Sequence, residues 1–228
     1  MLKNLSSTYN YDILMGIILK IKTTILSYLV RRINTVNYHN LAKFLQINKI
    51  WNNIKMDSIE GDYIEFGIFK GKSLYHSFKS GQIATLREPR VYWGLDSFEG
   101  FPVENHDFYV AKNFKSSKQK VLKTFNKYDN VKIIDGFFET SLKQEEVISI
   151  KSISFAFVDC DIYESAEVAF NFIKERISDG GFIMIDDFTS VDKNGNYIAK
   201  CFYKIFDEKT VVFFDAYSNG HTYRIFHK

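Results

Sequence analysis

The chain has 228 residues, of which 46% are hydrophobic and 25% charged, and its net charge is +3. This size and composition suit one globular domain with a sizeable core, and the small, evenly spread charge argues against a nucleic-acid partner. Two cysteines, Cys160 and Cys201, give neither a disulfide framework nor a metal-ligand spacing. We therefore expect a cytoplasmic protein that binds no nucleic acid.

The first apolar stretch, residues 13–32, predicts an amphipathic helix and not a transmembrane segment. Lys20 and Lys22 lie in its middle, where charges are costly inside a bilayer, and its uninterrupted apolar run is too short to cross one. We expect its apolar face to pack on its own domain or on a second subunit, with contact to a membrane surface as the alternative. That face consists of residues at helical spacing: Leu14, Ile17, Ile18, Ile21, Ile25, Leu26 and Leu29.

A second helix is predicted at 40–54, and beyond residue 61 short apolar runs alternate with helical ones. The predicted strands are 62–66, 91–96, 131–135, 153–159 and 181–187. The predicted helices between them are 72–80, 116–128, 141–148 and 163–178, the last ended by Gly180 and Gly181. Near-continuous apolar strands separated by helices predict a parallel sheet covered on both faces.

The C-terminal part has a different pattern. A helix predicted at 197–206 is followed by two apolar segments on either side of Ser218-Asn219-Gly220. Asn-Gly between two such segments predicts a β-hairpin. We therefore expect a parallel sheet that ends in an antiparallel pair.

Acidic residues stand at the ends of all the predicted parallel strands. In sheets of this kind, ligands bind outside the carboxyl ends of the strands, where loops lead into helices. The sequence thus predicts a ligand site lined by carboxylates rather than a buried acidic core. The residues concerned are Glu65, Asp96, Asp135, Asp159, Asp161, Asp186 and Asp187.

The turn after the first strand could bring backbone close to a ligand, because Gly67 and Gly71 precede a helix. It is not the dinucleotide fingerprint, since Phe69 stands where the middle glycine would be. A purely structural turn is the alternative. Glu65 could hold an ammonium group, and Asp96, at the end of the second strand, could accept hydrogen bonds from both hydroxyls of a ribose.

Four aspartates at two strand ends predict a metal site. Carboxylates gathered at one place repel one another unless a cation joins them, and hard divalent cations prefer oxygen ligands. Asp159, Asp186 and Asp187 would hold Mg²⁺, Mn²⁺ or Fe²⁺ with open positions left for a substrate. The alternative is that Asp161 caps the helix beginning at residue 163 and that Asp187 only ends a turn.

Five sequence blocks in this order resemble the macrocin O-methyltransferase (TylF-type) family, whose members use S-adenosylmethionine to methylate sugar hydroxyls. The blocks are GDYIEFGIFKGKS, GLDSFEGFP, DGFFETSL, FVDCDIYES and GGFIMIDDF, and the resemblance covers roughly residues 61–206. It implies a Rossmann-like class I methyltransferase domain at 58–228, with a seven-stranded, mostly parallel sheet and a C-terminal antiparallel hairpin. Residues 1–57 would form a helical extension that serves as a lid or for homo-oligomerisation.

The resemblance also implies which residues bind the cofactor. They fall into three groups that follow S-adenosylmethionine from one end to the other, with Asp159 as a further contact. The groups are Glu65, Gly67 and Ser73 along the methionine part, Asp96 and Ser97 along the ribose, and Asp135, Gly136 and Phe137 around the adenine.

Catalytic roles follow from the same resemblance. Asp159, Asp186 and Asp187 match the family's metal ligands, and Asp161 matches a position proposed as general base. Because other members have a histidine near that place, His106 is a second candidate for the base. A metal that lowers the pKa of the acceptor hydroxyl would allow either residue to take up its proton.

A second functional class stays open. An apolar strand ending in D-x-D, as in FVDCDIY, resembles the metal and nucleotide-diphosphate site of one large glycosyltransferase architecture. That architecture has its nucleotide-binding strand near the N-terminus, where this chain has helices, and it leaves the Gly67 turn unexplained.

The acceptor is predicted less directly than the cofactor. The composition is rich in Ile, Asn and Lys, which suggests an AT-rich genome and a bacterial surface polysaccharide as the product. We expect a sugar or nucleotide-sugar substrate, such as a GDP-heptose. Its phosphates could contact Lys112, Lys115 and Lys118, for which solvated surface is the alternative.

Overall fold

The computed structural model describes residues 3–85, 89–102 and 114–227, with side chains described from residue 16 onward. The chain divides into two compact units, Met1–Asn40 and Leu41–Lys228. The boundary between the units falls within a helix, α2 (Thr35–Met56). The functional division predicted at residue 57 stays a prediction.

The first unit consists mainly of one helix, α1 (Lys3–Val30), which begins before the predicted position near residue 13. Its apolar side chains are not covered: Ile17, Ile25 and Leu26 are 51%, 55% and 60% exposed. In the part of the chain that the structure describes, no helix is long and apolar enough to cross a membrane. The covering surface expected for this helix stays a prediction.

The second unit contains one sheet of seven strands in the order β3-β2-β1-β4-β5-β7-β6. Strands β1 to β5 are parallel, whereas β7 runs antiparallel to both β5 and β6. The predicted fold class is therefore confirmed. The strands are β1 (Asp62–Phe66), β2 (Tyr92–Asp96), β3 (Val131–Asp135), β4 (Ile153–Val158), β5 (Ile177–Ile185), β6 (Val211–Tyr217) and β7 (Gly220–Ile225).

Buried side chains lie on both faces of this sheet. Every residue of β4 is buried, with Ala156 and Val158 in one hydrophobic cluster and Phe155 and Phe157 in the other. This two-sided burial explains why the strand sequence is continuously apolar. The helices of this unit after α2 are α3 (Lys72–Ala84), α4 (Lys118–Phe125), α5 (Phe138–Ser141), α6 (Glu145–Ile148), α7 (Tyr163–Lys174) and α8 (Ile198–Ile205).

The structure differs from the sequence prediction where α7 meets β5. The helix was predicted to reach residue 178, but it ends at Lys174 and β5 already begins at Ile177. Ile177 has helical spacing with the apolar face of α7, yet it pairs with Ile153 in the sheet. A shift in the β4–β5 register and a positive φ of 72° at Gly180 allow this early pairing.

The predicted hairpin is present. Tyr217 pairs with Gly220, so the loop between β6 and β7 contains only Ser218 and Asn219. A side chain at position 220 would have its Cβ 2.2 Å from the ring of Tyr217, which requires glycine there. Because β7 inserts between β5 and β6, the hairpin also closes one side of the acidic strand end at Asp186.

Candidate cofactor and acceptor site

A recess opens at the carboxyl ends of β1, β2 and β4, at the place predicted for a ligand. It encloses about 500 Å³ when its open mouth is included. Predicted cofactor residues, the predicted base and several aromatic side chains meet there. The lining includes Gly67, Phe69, Asp96, Ser97, Phe101, Phe114, Phe137, Asp159 and Asp161.

Gly67 allows the ends of β1 and β4 to meet. Its φ is +90°, and a Cβ at this position would lie 2.0 Å from the carbonyl oxygen of Asp159. The neighbouring amide of Asp159 donates to the carbonyl oxygen of Phe66 at 2.9 Å. Only glycine fits such a close backbone contact, so Gly67 shapes the floor of the recess.

Glu65 lies just behind the recess and is fully buried. Its carboxylate accepts hydrogen bonds from the hydroxyls of Ser73 at 2.5 Å and Tyr63 at 2.6 Å. Burial raises the pKa of Glu65 from 4.5 to about 7, although these two hydrogen bonds and the charge of Lys43 oppose the rise. A cationic group of a ligand would favour the ionised form.

Asp96 is held in one orientation by backbone donors. Its Oδ2 accepts from the amide of Phe69 at 2.7 Å, and its Oδ1 accepts from the amide of Phe98 at 2.6 Å. Burial raises its pKa, against these two hydrogen bonds. Each carboxylate oxygen can still accept a second hydrogen bond, as recognition of two ribose hydroxyls would require. Ser97 beside it donates to the carbonyl of Gly100 at 2.8 Å.

The residues predicted around the adenine follow β3. The amide of Gly136 donates to the carbonyl of Asp96 at 3.0 Å, which joins the ends of β2 and β3, and Phe137 lines the recess. Asp135 is exposed and forms an ion pair with Lys118 at 2.6 Å. Lys118 was predicted among the phosphate contacts, but its ammonium contacts this carboxylate instead.

The acidic ends of β4 and β5 converge on a lysine of α2. The ammonium of Lys43 lies 2.8 Å from Oδ2 of Asp159 and 2.6 Å from Oδ2 of Asp186. Lys43 is only 8% exposed and Asp186 only 3%. Burial opposes the charge of Lys43, but the two carboxylates outweigh it and raise its pKa. Tyr217 adds a hydrogen bond of 3.2 Å to Oδ1 of Asp186.

Asp161 and Asp187 form the second acidic pair. Both have left-handed backbones, with φ of 62° and 45°, which is uncommon for residues with a side chain. Their carboxyl groups share a hydrogen bond, for which one of them must be protonated. Burial, followed by the charges of Asp159 and Asp187, raises the pKa of Asp161 well above its usual range. Asp161 does not cap α7, because the N-cap is Ile162.

The predicted metal ligands do not all converge. Across 3–85, 89–102 and 114–227, no three His, Cys, Asp or Glu side chains are arranged around one metal position. Asp159 and Asp186 do converge, and their oxygens suit a hard divalent cation, but Lys43 stands between them. His106, the second candidate for the base, lies outside the described residues.

Sequence reasoning missed Lys43. A signal was present, because Lys43 and Gln46 share the buried face of α2 with Ile47, Ile50 and Ile54. A lysine on such a face needs a charged partner, since burying an unpaired charge is costly. The sequence alone does not reveal that the partners are Asp159 and Asp186, which lie more than 100 positions further along the chain.

Comparison with known families gives the context of this site. The family model of Macrocin-O-methyltransferase (TylF) matches residues 40–205. The chain belongs to this family. The match includes Lys43 and all four aspartates at the ends of β4 and β5, so the family prediction made from the five sequence blocks is confirmed.

Curated relatives are more distant. The chain is 29% identical over 150 residues to 8-demethyl-8-(2,3-dimethoxy-alpha-L-rhamnosyl)-tetracenomycin-C 4'-O-methyltransferase of Streptomyces olivaceus, a match that covers 58% of this chain and 54% of the relative. It is 22% identical over 169 residues to mycinamicin III 3''-O-methyltransferase of Micromonospora griseorubida, covering 66% and 65%. The chain thus spans little more than half the length of the first relative.

Solved structures agree with the fold. The O-methyltransferase NovP superimposes with a TM-score of 0.65 at 19% identity, covering 82% of this chain and 80% of NovP. The calicheamicin methyltransferase CalS11 gives a TM-score of 0.67 at 16% identity, covering 82% and 79%. At these identities the likeness establishes the class I methyltransferase fold of the chain and nothing finer.

Proposed function

We propose that this protein transfers a methyl group from S-adenosylmethionine to a sugar hydroxyl and that a divalent metal ion assists the reaction. The observation that carries the proposal is the TylF family match over residues 40–205. Relatives named for O-methylation, one at a position of a rhamnosyl compound, support a sugar as acceptor. The recess at the strand ends supports a site for a small cofactor.

The cofactor would lie along the ends of β1, β2 and β3. S-adenosylmethionine supplies an electrophilic methyl group on its sulfonium. Glu65 would attract the ammonium of the methionine part, Asp96 would accept from the ribose hydroxyls, and Phe137 would pack against the adenine. The two backbone amides that hold Asp96 fix its carboxylate before the ligand arrives, which lowers the ordering cost of binding.

Asp161 would act as the general base. It lines the same recess as Asp96, so an acceptor hydroxyl in front of the methyl group is within its surroundings. Its raised pKa makes it a better proton acceptor than an ordinary carboxylate once it is ionised. His106 remains the second candidate for this role.

The metal part of the proposal concerns Asp159, Asp186 and Asp187. A divalent ion bound by these carboxylates would lower the pKa of the acceptor hydroxyl and help to orient the sugar. The chain's own contribution is to hold two of the carboxylates in fixed positions, Asp159 at the end of β4 and Asp186 beside Tyr217.

The acceptor we propose is a nucleotide-linked sugar, such as a GDP-heptose used for a surface polysaccharide. The glycosyltransferase alternative is less well supported, because the strand that carries D-x-D is the fourth in the chain and lies in the middle of a β3-β2-β1-β4-β5-β7-β6 sheet. That strand order fits the methyltransferase proposal.

Incubation of chelator-treated protein with S-adenosylmethionine and a panel of nucleotide sugars, with and without added Mg²⁺, Mn²⁺ or Fe²⁺, tests the proposal. We expect S-adenosylhomocysteine and a singly methylated sugar by mass spectrometry, formed only when metal is restored. Full activity in excess chelator would remove the metal from the proposal. Release of a nucleoside diphosphate, without any methylated product, would replace methyl transfer by glycosyl transfer.

A further inference from the structure

Lys43 occupies the position that the proposed metal ion needs. We infer that its ammonium is an internal competitor of that ion, so that a divalent cation can bind Asp159 and Asp186 together only after Lys43 has moved away. This inference rests on the metal part of the proposed function. It adds a residue from the N-terminal helices to the control of that site.

The geometry leaves one cation position between the two carboxylates. The Lys43 ammonium is in hydrogen-bond contact with one oxygen of each, at 2.8 Å and 2.6 Å. A divalent ion binding the same two oxygens would lie about 2.0 to 2.6 Å from each. The two positions overlap, and two cations so close would repel each other strongly at a buried site.

Burial strengthens the competition. The Lys43 side chain is 10% exposed and that of Asp186 is 3% exposed, so water and salt screen this ion pair little. The ammonium also lies 5.4 Å from the ring centroid of Phe157, on the side of a cation that an aromatic face stabilises. Nothing in these contacts distinguishes a weakly held surface pair; they resemble a built cation site whose occupant is covalently attached.

The helix that carries Lys43 is fixed to the sheet. Gln46 donates to the hydroxyl of Thr222 in β7 at 2.9 Å, and the indole of Trp51 donates to the hydroxyl of Ser77 at 2.9 Å. The exchange therefore needs only a change of side-chain conformation at Lys43, for which four rotatable bonds are available. Metal binding and α2 packing are predicted to be compatible.

The same helix offers a matched control. Lys49 also forms an ion pair with an aspartate, Asp215, but their side chains are 50% and 36% exposed. Replacing Lys49 by Met removes one positive charge from α2 without touching Asp159 or Asp186. A general effect of net charge on metal affinity would appear in both variants, whereas competition would appear only at Lys43.

Titration of the chelator-stripped full chain with Mn²⁺, followed by the electron paramagnetic resonance signal of free Mn²⁺, tests the inference. We expect Lys43→Met to bind one Mn²⁺ at least about tenfold more tightly than the wild type, and Lys49→Met to match the wild type. Adding Asp186→Asn to Lys43→Met should remove the gain. Lys43→Arg, which keeps the charge, should not bind Mn²⁺ more tightly than the wild type.

Equal or weaker Mn²⁺ affinity in Lys43→Met would overturn the inference. If the wild type and Lys43→Met bind one Mn²⁺ equally well, and Asp186→Asn abolishes binding in both, the competition fails while the metal part of the proposed function survives. If neither binds Mn²⁺, both fail, and methyl transfer without metal can still be tested separately by S-adenosylhomocysteine formation.

Removing Lys43 leaves two buried carboxylates without a cation and could destabilise the fold. Thermal unfolding followed by circular dichroism covers this case. Competition predicts that saturating Mn²⁺ raises the melting temperature of Lys43→Met by more than that of the wild type, because the ion replaces the missing charge. A Lys43→Met protein that stays unfolded in Mn²⁺ would contradict the inference.

Discussion

Asp161 combines three features expected of a catalytic carboxylate: a place in the recess, a left-handed backbone and a raised pKa. Strained conformations persist where the surrounding structure enforces them, often at active sites. We predict that Asp161→Asn lowers kcat about 100-fold or more, since a general base contributes on that scale, and leaves the affinity for S-adenosylhomocysteine within about twofold. Steady-state kinetics and calorimetry measure the two quantities.

Asp207→Asn is the control for this prediction. Asp207 is exposed and caps the turn before β6, where its carboxylate accepts from the amide of Lys209 at 2.9 Å. Its strand end pairs through Val211 with Ile225, away from the acidic pair. Unchanged turnover in Asp161→Asn would transfer the role of base to another residue, with His106 as the next to substitute.

Glu65 should make stability depend on pH. Its pKa rises from 4.5 in the unfolded chain to about 7 in the folded one, so between these pH values the folded state binds more protons. The contribution of Glu65 therefore falls as the pH rises from about 4.5 to 7, by about 3 kcal/mol at most. Urea unfolding of wild type and Glu65→Gln at pH 5 and pH 8 measures it.

We expect the free energy of unfolding of the wild type, relative to that of Glu65→Gln, to be lower at pH 8 than at pH 5. Comparison of the two proteins at each pH cancels the titration of all other groups. A constant difference between wild type and variant across this range would mean that the buried carboxyl keeps an ordinary pKa.

At the residue scale, the sequence could predict which carboxylates stand at strand ends, because that follows from local pattern. Asp96, Asp159 and Asp161 indeed line one recess. It could not predict Lys43 between Asp159 and Asp186, since that contact depends on how α2 packs against the sheet. Nor could it predict the ion pair that engages Lys118.

Among the elements, the β1–β4 contact at Gly67 is the most sensitive joint. Gly67→Ala would bring a Cβ to 2.0 Å from a backbone carbonyl oxygen, and both strands would have to shift. We predict a loss of at least about 3 kcal/mol of unfolding free energy, because overpacking adds to backbone strain. Urea unfolding measures the loss.

Gly195→Ala separates the two causes. Gly195 also has a positive φ, of 76°, but a Cβ there would meet nothing within 4 Å. Its substitution should cost only about 1 kcal/mol, the price of a left-handed backbone for alanine. Similar losses in the two variants would show that the close contact with Asp159 adds nothing.

Element boundaries were predictable where sequence pattern and pairing agree. β1 and β3 have the predicted limits, 62–66 and 131–135, since each is a short apolar run followed at once by a turn. The boundary between α7 and β5 was predicted wrongly because Ile177 fits both a helical face and a strand. Its pairing with Ile153, a long-range interaction, decides between them.

At the scale of the whole molecule, the exposed face of α1 predicts self-association. Leu19 and Leu26, seven residues apart on one side of the helix, are 66% and 60% exposed. Large exposed apolar patches usually mark interaction surfaces. We predict that the wild type sediments as an oligomer and that a variant carrying both Leu19→Lys and Leu26→Lys sediments as a monomer.

Analytical ultracentrifugation at several concentrations distinguishes these states. Thr23→Lys, which adds a charge to the same helix without removing an apolar side chain, serves as control and should remain oligomeric. A wild type that is monomeric at all concentrations would contradict the prediction and leave the face of α1 to another partner.

Fold class and family could be predicted for the whole molecule because both depend on the order of local features: apolar strands, acidic strand ends and a terminal hairpin. The TylF match and the observed strand order agree with that prediction. The cation arrangement could not be predicted in this way. It joins three distant segments, α2, β4 and β5, and only their packing brings Lys43 to the two aspartates.

The central claim is that the recess binds S-adenosylmethionine. Calorimetric titration of chelator-stripped protein with S-adenosylhomocysteine, compared with UDP and GDP in the presence of Mn²⁺, tests it most directly. We predict one binding site for S-adenosylhomocysteine, weakened by Asp96→Asn, and no comparable signal from the nucleotides. Metal-dependent binding of UDP or GDP without binding of S-adenosylhomocysteine would contradict the claim and make Asp159 and Asp161 a sugar-transferase pair.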